Sequence, residues 1–389
     1  MARTTERRTA IIGAGICGLA HALVAARQGD RVEVFERRAG AIGASIRHDG
    51  MIWPIGQPPG PLLRRALHAR TVWMELAHAA GFWLRPCGSL HLAYQQDEWS
   101  LLEEFASTSG RHGYRSQLVD PARIRELSQS ARQSGLVGGL WSETELAIDP
   151  REAIPRLTSW LSARLSVAFH FRSPVRAVEA THLVTASGER HAFDRCVVAP
   201  GEDFDSLFPG LLAESDLARC KIQMMRTEAQ PPGWRLGPHL TSGPALGRSP
   251  AFDACASAPA IRARFASDNG CLEAWGIRAR VMQNSLGELV IGDSHHYGSG
   301  LDFDYRTDVE ALVLRHVARM IDVSLPAIRQ RWISVVAVRT GGPDVLLLDP
   351  MPNVRLVTGL GESGITIAFG LAEEVLRTDV AERLVGVGA

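Results

Sequence analysis

Three glycines and one acid carry the first legible chemistry of the chain. Gly13, Gly15 and Gly18 follow the apolar run Thr9-Ala-Ile-Ile12 and open a helical stretch, after which a second apolar strand ends on Glu36. Gly13 permits a tight turn, Gly15 lets the backbone come close to a pyrophosphate, and Gly18 lets the helix sit tightly on the strand. Ala14 and Ile16 lie at the helix start, where backbone N–H groups are free to meet phosphate. Glu36 stands about where an acid that hydrogen-bonds a ribose hydroxyl is expected. Together these residues predict a dinucleotide site, whereas a glycine-rich turn between packed elements leaves the acid unexplained.

Further stretches could complete such a site. Arg195-Cys-Val-Val-Ala-Pro-Gly201 reads as a buried strand delivering a small-residue turn, with Ala199 and Gly201 as a floor for a cofactor. Near the end of the chain, Gly359-Leu-Gly361-Glu-Ser-Gly364-Ile-Thr366 follows another apolar run and can aim a second helix N-terminus at an anionic ligand. Between these, Gly43, Ala44, Ser45, Arg47 and His48 belong to a loop that must pass close to something flat or charged.

The elements that position these residues follow from periodicity. An amphipathic helix is predicted over residues 62–80, a helix start at Pro121, and a helix over 150–165 opened by Asp149 as N-cap and Pro150 in the first turn. Strands are predicted at 167–171, 175–179 and 182–186. From 220 to 332 the strands lengthen and alternate, including 273–278 and 288–295, with a helix over 308–321. A last helix runs to about residue 384. Residues 1–85, 146–212 and 335–389 are expected to build one nucleotide-binding domain, and 86–145 with 213–334 a second.

Composition narrows the class. A chain of 389 residues has room for two domains. Basic and acidic residues number 42 each, so bulk charge recruits neither nucleic acid nor a membrane. Six scattered cysteines include no C-x-x-C pair and no histidine at zinc spacing; reduced thiols and no metal are expected. Arg7-Arg8 before an apolar run imitates a secretory signal, but the glycines at fixed offsets and the continuation to Glu36 argue against one. A cytoplasmic location is expected. Lys221 is the only lysine.

The fingerprint ending in Glu36-Arg37, the Gly-Ala-Ser-x-Arg loop at 43–47, the Val-Val-Ala-x-Gly run at 197–201 and Gly-x-Gly-x-x-Gly-x-Thr at 359–366 resemble one family over essentially the whole chain. They are similar to the FAD-dependent oxidoreductases of the D-amino-acid oxidase, glycine oxidase and sarcosine oxidase superfamily. That resemblance implies an α/β plus α+β fold, in which a Rossmann-like FAD-binding domain of glutathione-reductase type carries an inserted, mainly antiparallel substrate domain. It implies FAD as cofactor. Glu36, with Arg37 beside it, would hold the adenosine ribose, Gly13 to Gly18 the pyrophosphate, and Val175 the adenine through its backbone. Ala44, Ser45, Arg47 and His48 would lie beside the flavin. Gly361, Gly364, Ile365 and Thr366 would bring a helix N-terminus to its carbonyl edge. Three runs, at 43–57, 220–226 and 292–298, resemble more narrowly the branch associated with aminophosphonate breakdown, which implies 2-aminoethylphosphonate or an N-methyl or hydroxylated relative as substrate.

The resemblance also implies where the substrate sits. Val338-Arg339-Thr-Gly-Gly-Pro343-Asp344 stands where relatives carry Arg-Pro-x-Thr-Pro-Asp-Gly, so Arg339 is the expected anion clamp and the altered Thr-Gly-Gly implies a reshaped pocket. A phosphonate needs more donors, for which Arg47, His48, Arg278, His296 and Tyr297 are candidates, with Trp53 and Trp275 as walls. A small anionic amine would lose hydride to the flavin, and the imine would hydrolyse to an aldehyde and ammonia or methylamine. Oxygen or another acceptor would take the electrons. No side chain is assigned as acid or base, and the role of Lys221 is left open. Rival readings are a glycine or sarcosine oxidase, an aromatic hydroxylase imitated by Gly292-Asp293, and a non-catalytic FAD subunit.

Overall fold

The glycine fingerprint folds as strand, helix and strand: Arg8–Ile12, Ile16–Arg27 and Arg31–Glu36. These coordinates, a computed structural model, describe residues 6–268, 270–298, 300–322, 327–341 and 345–386, with side chains described as far as Arg377 except that of Asp268. The two strands are the centre of a six-stranded sheet. Its order is Leu346–Met351, Val354–Thr358, Arg195–Val198, Arg8–Ile12, Arg31–Glu36 and Ala168–Phe171, with all neighbours parallel except the first pair.

One face of this sheet is covered by helices. Ile16–Arg27, Pro61–Ala80, Pro150–Leu165 and Gly364–Gly386 bury Leu19, Leu23, Trp73, Leu76, Leu157 and Phe369 in a common core. The Pro150 helix begins as its residues dictate: the Asp149 carboxylate accepts from the Arg151 N–H at 2.9 Å, and Pro150 occupies the first turn. On the opposite face lies a three-stranded antiparallel sheet, Val175–Val178, His182–Thr185 and Arg190–Ala192. Val178, Leu183 and Phe193 pack there on Ala10, Phe35, Cys196 and Val198.

The second large sheet has eight strands, in the order Ile328–Arg339, Leu217–Ala229, Glu288–Gly298, Arg280–Gln283, His239–Ser242, Ser89–Ala93, Gly138–Ser142 and Ser116–Val119. Its pairings are antiparallel except that of His239–Ser242 with Ser89–Ala93. The helix Thr307–Met320 packs on it through Val309, Val313, Val317 and Met320. The α/β plus α+β architecture expected from the sequence is present. The boundary expected between 334 and 335 falls inside the strand Ile328–Arg339, which belongs to the eight-stranded sheet.

Residues 273–278 are not a strand. They follow from the short helix Gly270–Ala274, in which the Trp275 N–H donates to the Cys271 carbonyl at 3.2 Å, and they turn at Gly276, whose φ is +55°. So short an apolar run has too few positions for periodicity to separate helix from strand. The helices Pro244–Arg248 and Ala258–Asp268 were not foreseen. No helix among the described residues is long and apolar enough to cross a membrane.

Candidate active site

A long cavity opens at the C-terminal ends of Arg8–Ile12, Arg195–Val198 and Val354–Thr358, the usual place for a ligand on a parallel sheet. Gly13, Gly15 and Ile16 line it beside Ala199 and Gly201; Glu36, Arg37 and Val175 stand in another part, and Ala44, Ser45, His48, Gly361, Gly364 and Ile365 complete it. The glycines are sterically required. Gly13 has φ +101°, and a Cβ there would lie 2.3 Å from the Ala199 carbonyl oxygen; at Gly18 it would lie 1.8 Å from the Gly13 carbonyl oxygen.

The polar groups of this cavity are placed by the backbone. Glu36 accepts the Ala14 N–H through Oε2 at 3.0 Å and the Arg38 N–H through Oε1 at 2.9 Å. Each carboxylate oxygen can accept a further bond, which leaves capacity for ribose hydroxyls. Ser45 Oγ accepts the Ile16 N–H at 2.8 Å and so ties the 43–48 segment to the first helix start. Two helix N-termini, at Ile16 and Gly364, meet this one space. Bare glycine walls, an acid with spare acceptor capacity and two helix starts fit a dinucleotide.

A second cavity, about 260 Å³, adjoins the first. His48 lines both, and the turn that closes the first at Gly361, Gly364 and Ile365 bounds the second through Glu362, Ser363 and Thr366. Its other walls include Trp53, Gln57, His91 and Thr241, together with Arg278 and Arg280 from the eight-stranded sheet side. Thr366 Oγ1 accepts the Trp53 N–H at 2.9 Å, which fixes the wall between the two spaces.

Charge is concentrated at this junction. Arg280 Nη2 donates to Asp293 Oδ2 at 2.5 Å and to Glu362 Oε2 at 2.9 Å, and Arg278 pairs with Glu362 Oε1. His295 Nε2 lies 2.7 Å from Asp293 Oδ2. Burial opposes the charge on Glu362, but Arg278, His295 and Arg280 outweigh it and hold its pKa down to about 2. For His48 burial also opposes charge, and Asp49 outweighs it, so its pKa is raised. His48 Nδ1 is 2.8 Å from Asp49 Oδ1 and Nε2 is 2.9 Å from the Glu362 carbonyl oxygen, as a doubly donating imidazolium requires. The Gly50 N–H, 3.0 Å from the same Nδ1, would suit a neutral ring; the nearer, buried carboxylate favours the charged one.

Several cavity-lining residues keep unmet polar groups. Nε of Arg278 and of Arg280, both ring nitrogens of His91, Thr241 Oγ1 and Ser249 Oγ are buried without a hydrogen-bond partner among the described residues. Buried polar groups are nearly always paired, so this set distinguishes the walls of the second cavity from an ordinary core.

Residues 8–377 match the family model described as FAD dependent oxidoreductase. The chain belongs to this family. Its solved relatives in fold include a glycine oxidase from Geobacillus kaustophilus, with TM-score 0.76, 18% identity, and coverage of 97% of this chain and 95% of that one. An L-proline dehydrogenase from P. horikoshii gives TM-score 0.76 at 17% identity, covering 95% and 91%. The dithionite-reduced L-alpha-glycerophosphate oxidase from Mycoplasma pneumoniae, with FAD bound, gives 0.71 at 16%, covering 96% and 94%. A search of curated proteins finds no match. This protein is therefore an FAD-dependent oxidoreductase, and the lining of the long cavity fits a dinucleotide such as FAD.

Most residues expected at FAD line that cavity. Ala14 and Gly18 act from behind it: Ala14 is buried and donates to Glu36, and Gly18 is packed against Gly13. Thr366 faces the second cavity instead. Arg47 is exposed at an outer cleft, with Nη1 3.3 Å from the Ile333 carbonyl oxygen.

The substrate candidates divide sharply. His48, Trp53 and Arg278 meet at the second cavity, but Arg339 does not line it. Its guanidinium forks onto Asp216, Nε to Oδ1 at 2.8 Å and Nη2 to Oδ2 at 2.9 Å. Pro343 and Asp344, which complete its motif, lie outside the described residues. Strand register explains two other outcomes. Lys221 pairs with His296 and Ile222 with His295, so Lys221 and His296 project from the face opposite to Cys220, Ile222 and Met224. The latter cluster with Val336 and Ala44, which line the FAD cavity. Lys221 thus points away from the long cavity and holds Asp302 and the Asp304 carbonyl, and His296 packs on Trp275 at 5.2 Å. Tyr297 is 51% exposed. Arg280, Glu362, Asp293 and His91 were missed. The alternation Arg278-Ala-Arg280 and the acid inside Gly361-Glu-Ser-Gly364 were their only local signals.

Proposed function

We propose that this FAD-dependent oxidoreductase oxidises a small amine that also carries an anionic group. The observation that carries the reading is the second cavity, lined by Arg278, Arg280, His91 and Thr241, abutting the FAD space at His48 and the Glu362 turn. When bound, FAD supplies the hydride acceptor. The chain's own part is to grip the anion with Arg278 and Arg280 in place of Arg339, and to keep the amine in a dry setting that favours its neutral form. The carbon then loses hydride, its nitrogen lone pair forms the C=N bond, and water hydrolyses the imine to an aldehyde and ammonia or methylamine.

Within this class, 2-aminoethylphosphonate or an N-methyl or hydroxylated relative is the substrate we favour. Its three oxygens suit a cavity lined by Arg278, Arg280 and Thr241, and the runs at 43–57, 220–226 and 292–298 resemble that branch. The second reading is a glycine- or sarcosine-type amino-acid oxidase. Fold likeness to proteins named glycine oxidase and iminodiacetate oxidase favours it. Turnover of an aminophosphonate and amino-acid panel, with aldehyde and ammonia or methylamine measured together, separates the two. Aldehyde from 2-aminoethylphosphonate supports the first; products from glycine or sarcosine alone overturn it in favour of the second.

A further inference from the structure

Away from both cavities, three side chains that are distant in sequence converge on one point. Glu33 from Arg31–Glu36, His170 from Ala168–Phe171 and His191 from Arg190–Ala192 bring their ligand atoms within 4.8 Å of one another. His170 Nε2 is 3.1 Å and His191 Nδ1 is 3.3 Å from Glu33 Oε2. Nitrogen and oxygen ligands sit about 2.0–2.2 Å from a zinc-like ion, so two on one tetrahedral ion are about 3.3 Å apart. The observed separations are those of such an edge. The rings are also held in place: Phe35 stacks on His170 at 4.6 Å and 7°, and meets His191 edge-on at 4.7 Å. Arg31 lies 3.6 Å from the other oxygen of Glu33, leaving Oε2 for the shared contact. A quarter to a third of each of the three side chains is exposed, which gives an ion a way in. The other His and acid cluster, Asp293, His295 and Glu362, has no such room, because the Arg280 guanidinium already sits between its carboxylates.

We propose that Glu33, His170 and His191 form a site for one divalent transition ion of the zinc or cobalt kind. The ion ties the three-stranded sheet to the edge of the six-stranded sheet across Phe35, which also lines the FAD cavity. The ligands lie 137 and 21 residues apart, so no spacing motif marks them in the sequence. The test uses untagged, FAD-loaded protein freed of metal by chelation and titrated with Co²⁺. One equivalent should give a visible d–d spectrum without a sulfur charge-transfer band, reversed by Zn²⁺, and should raise the thermal midpoint. His170→Asn and His191→Asn should each weaken binding at least about tenfold, while Cys271→Ser, which removes the exposed thiol, should leave it unchanged. Midpoints of the metal-free variants show that they fold, and Glu33→Gln replaces any that does not. Absence of binding, affinity indifferent to both histidine substitutions, or a sulfur band lost in Cys271→Ser overturns the proposal.

Discussion

Lys221 shows how one strand position decides a residue's role. As the chain's single lysine at the start of a long strand, it invites a part in flavin chemistry, but alternation turns it to Asp302 and Asp304. Lys221→Met is therefore expected to leave the rate of flavin reoxidation by oxygen unchanged in stopped-flow experiments, and to make the segment around Asp302 and Asp304 easier to proteolyse. Arg278 has the opposite standing. Its replacement by alanine removes a charged donor from the second cavity, a loss of roughly 1.5–3 kcal/mol, or about ten- to a hundredfold in the KM for the amine, with FAD content unchanged. Equal loss of FAD would make Arg278 structural. The glycine fingerprint and Glu36 were legible because the spacing of a tight turn, a close approach and a terminal acid is fixed by local geometry. Arg339 was not, since its partner Asp216 stands 123 residues earlier and no local pattern announces it.

Elements carry the cofactor site by close approach of backbone. The helix Ile16–Arg27 can sit on its strand only because Gly18 has no Cβ. Gly18→Ala should cost about 1–3 kcal/mol of stability through overpacking and should yield protein that purifies with little flavin, read from the visible absorbance and a denaturant midpoint. Long periodic helices and buried strands were readable from sequence: the predicted 62–80 helix is Pro61–Ala80, and the predicted 150–165 helix has the Asp149 cap that its residues call for. The misread stretch at 273–278 is short, and so few positions do not separate the helix period from the strand period. The pairing of Arg278 and Arg280 with Glu362 was beyond local reading, since it joins the two large sheets through a turn more than 80 residues away.

The molecule as a whole buries several histidines without charge. Burial holds His21 to about 4, His91 to about 3 and His239 to about 4, against an ordinary value of 6.5. With His316, lowered to about 4 in the same way, the unfolded chain binds up to four more protons than the native one between those values, so stability rises with pH there and is lost as pH falls from about 6.5 towards 4. His48, whose pKa is raised, contributes in the other sense: its share is full below 6.5 and is lost as pH rises through its folded value. Asp49 and Glu362, held near 2, contribute fully above their ordinary values of 3.8 and 4.5 and lose that share progressively as pH falls from there through about 2. A thermal midpoint that does not drop between pH 6.5 and 4 would contradict this. The sheet architecture and the FAD space follow from the strand and glycine pattern, whereas the substrate space is assembled from parts of the chain that meet only in three dimensions. We propose that this assembly oxidises an amine by itself, and anaerobic mixing of the purified FAD protein with single amines is the sharpest test. Loss of the oxidised flavin absorbance on adding 2-aminoethylphosphonate, with no other protein present, is expected; a flavin that stays oxidised with every aminophosphonate and amino acid offered would show that the protein is no amine oxidase.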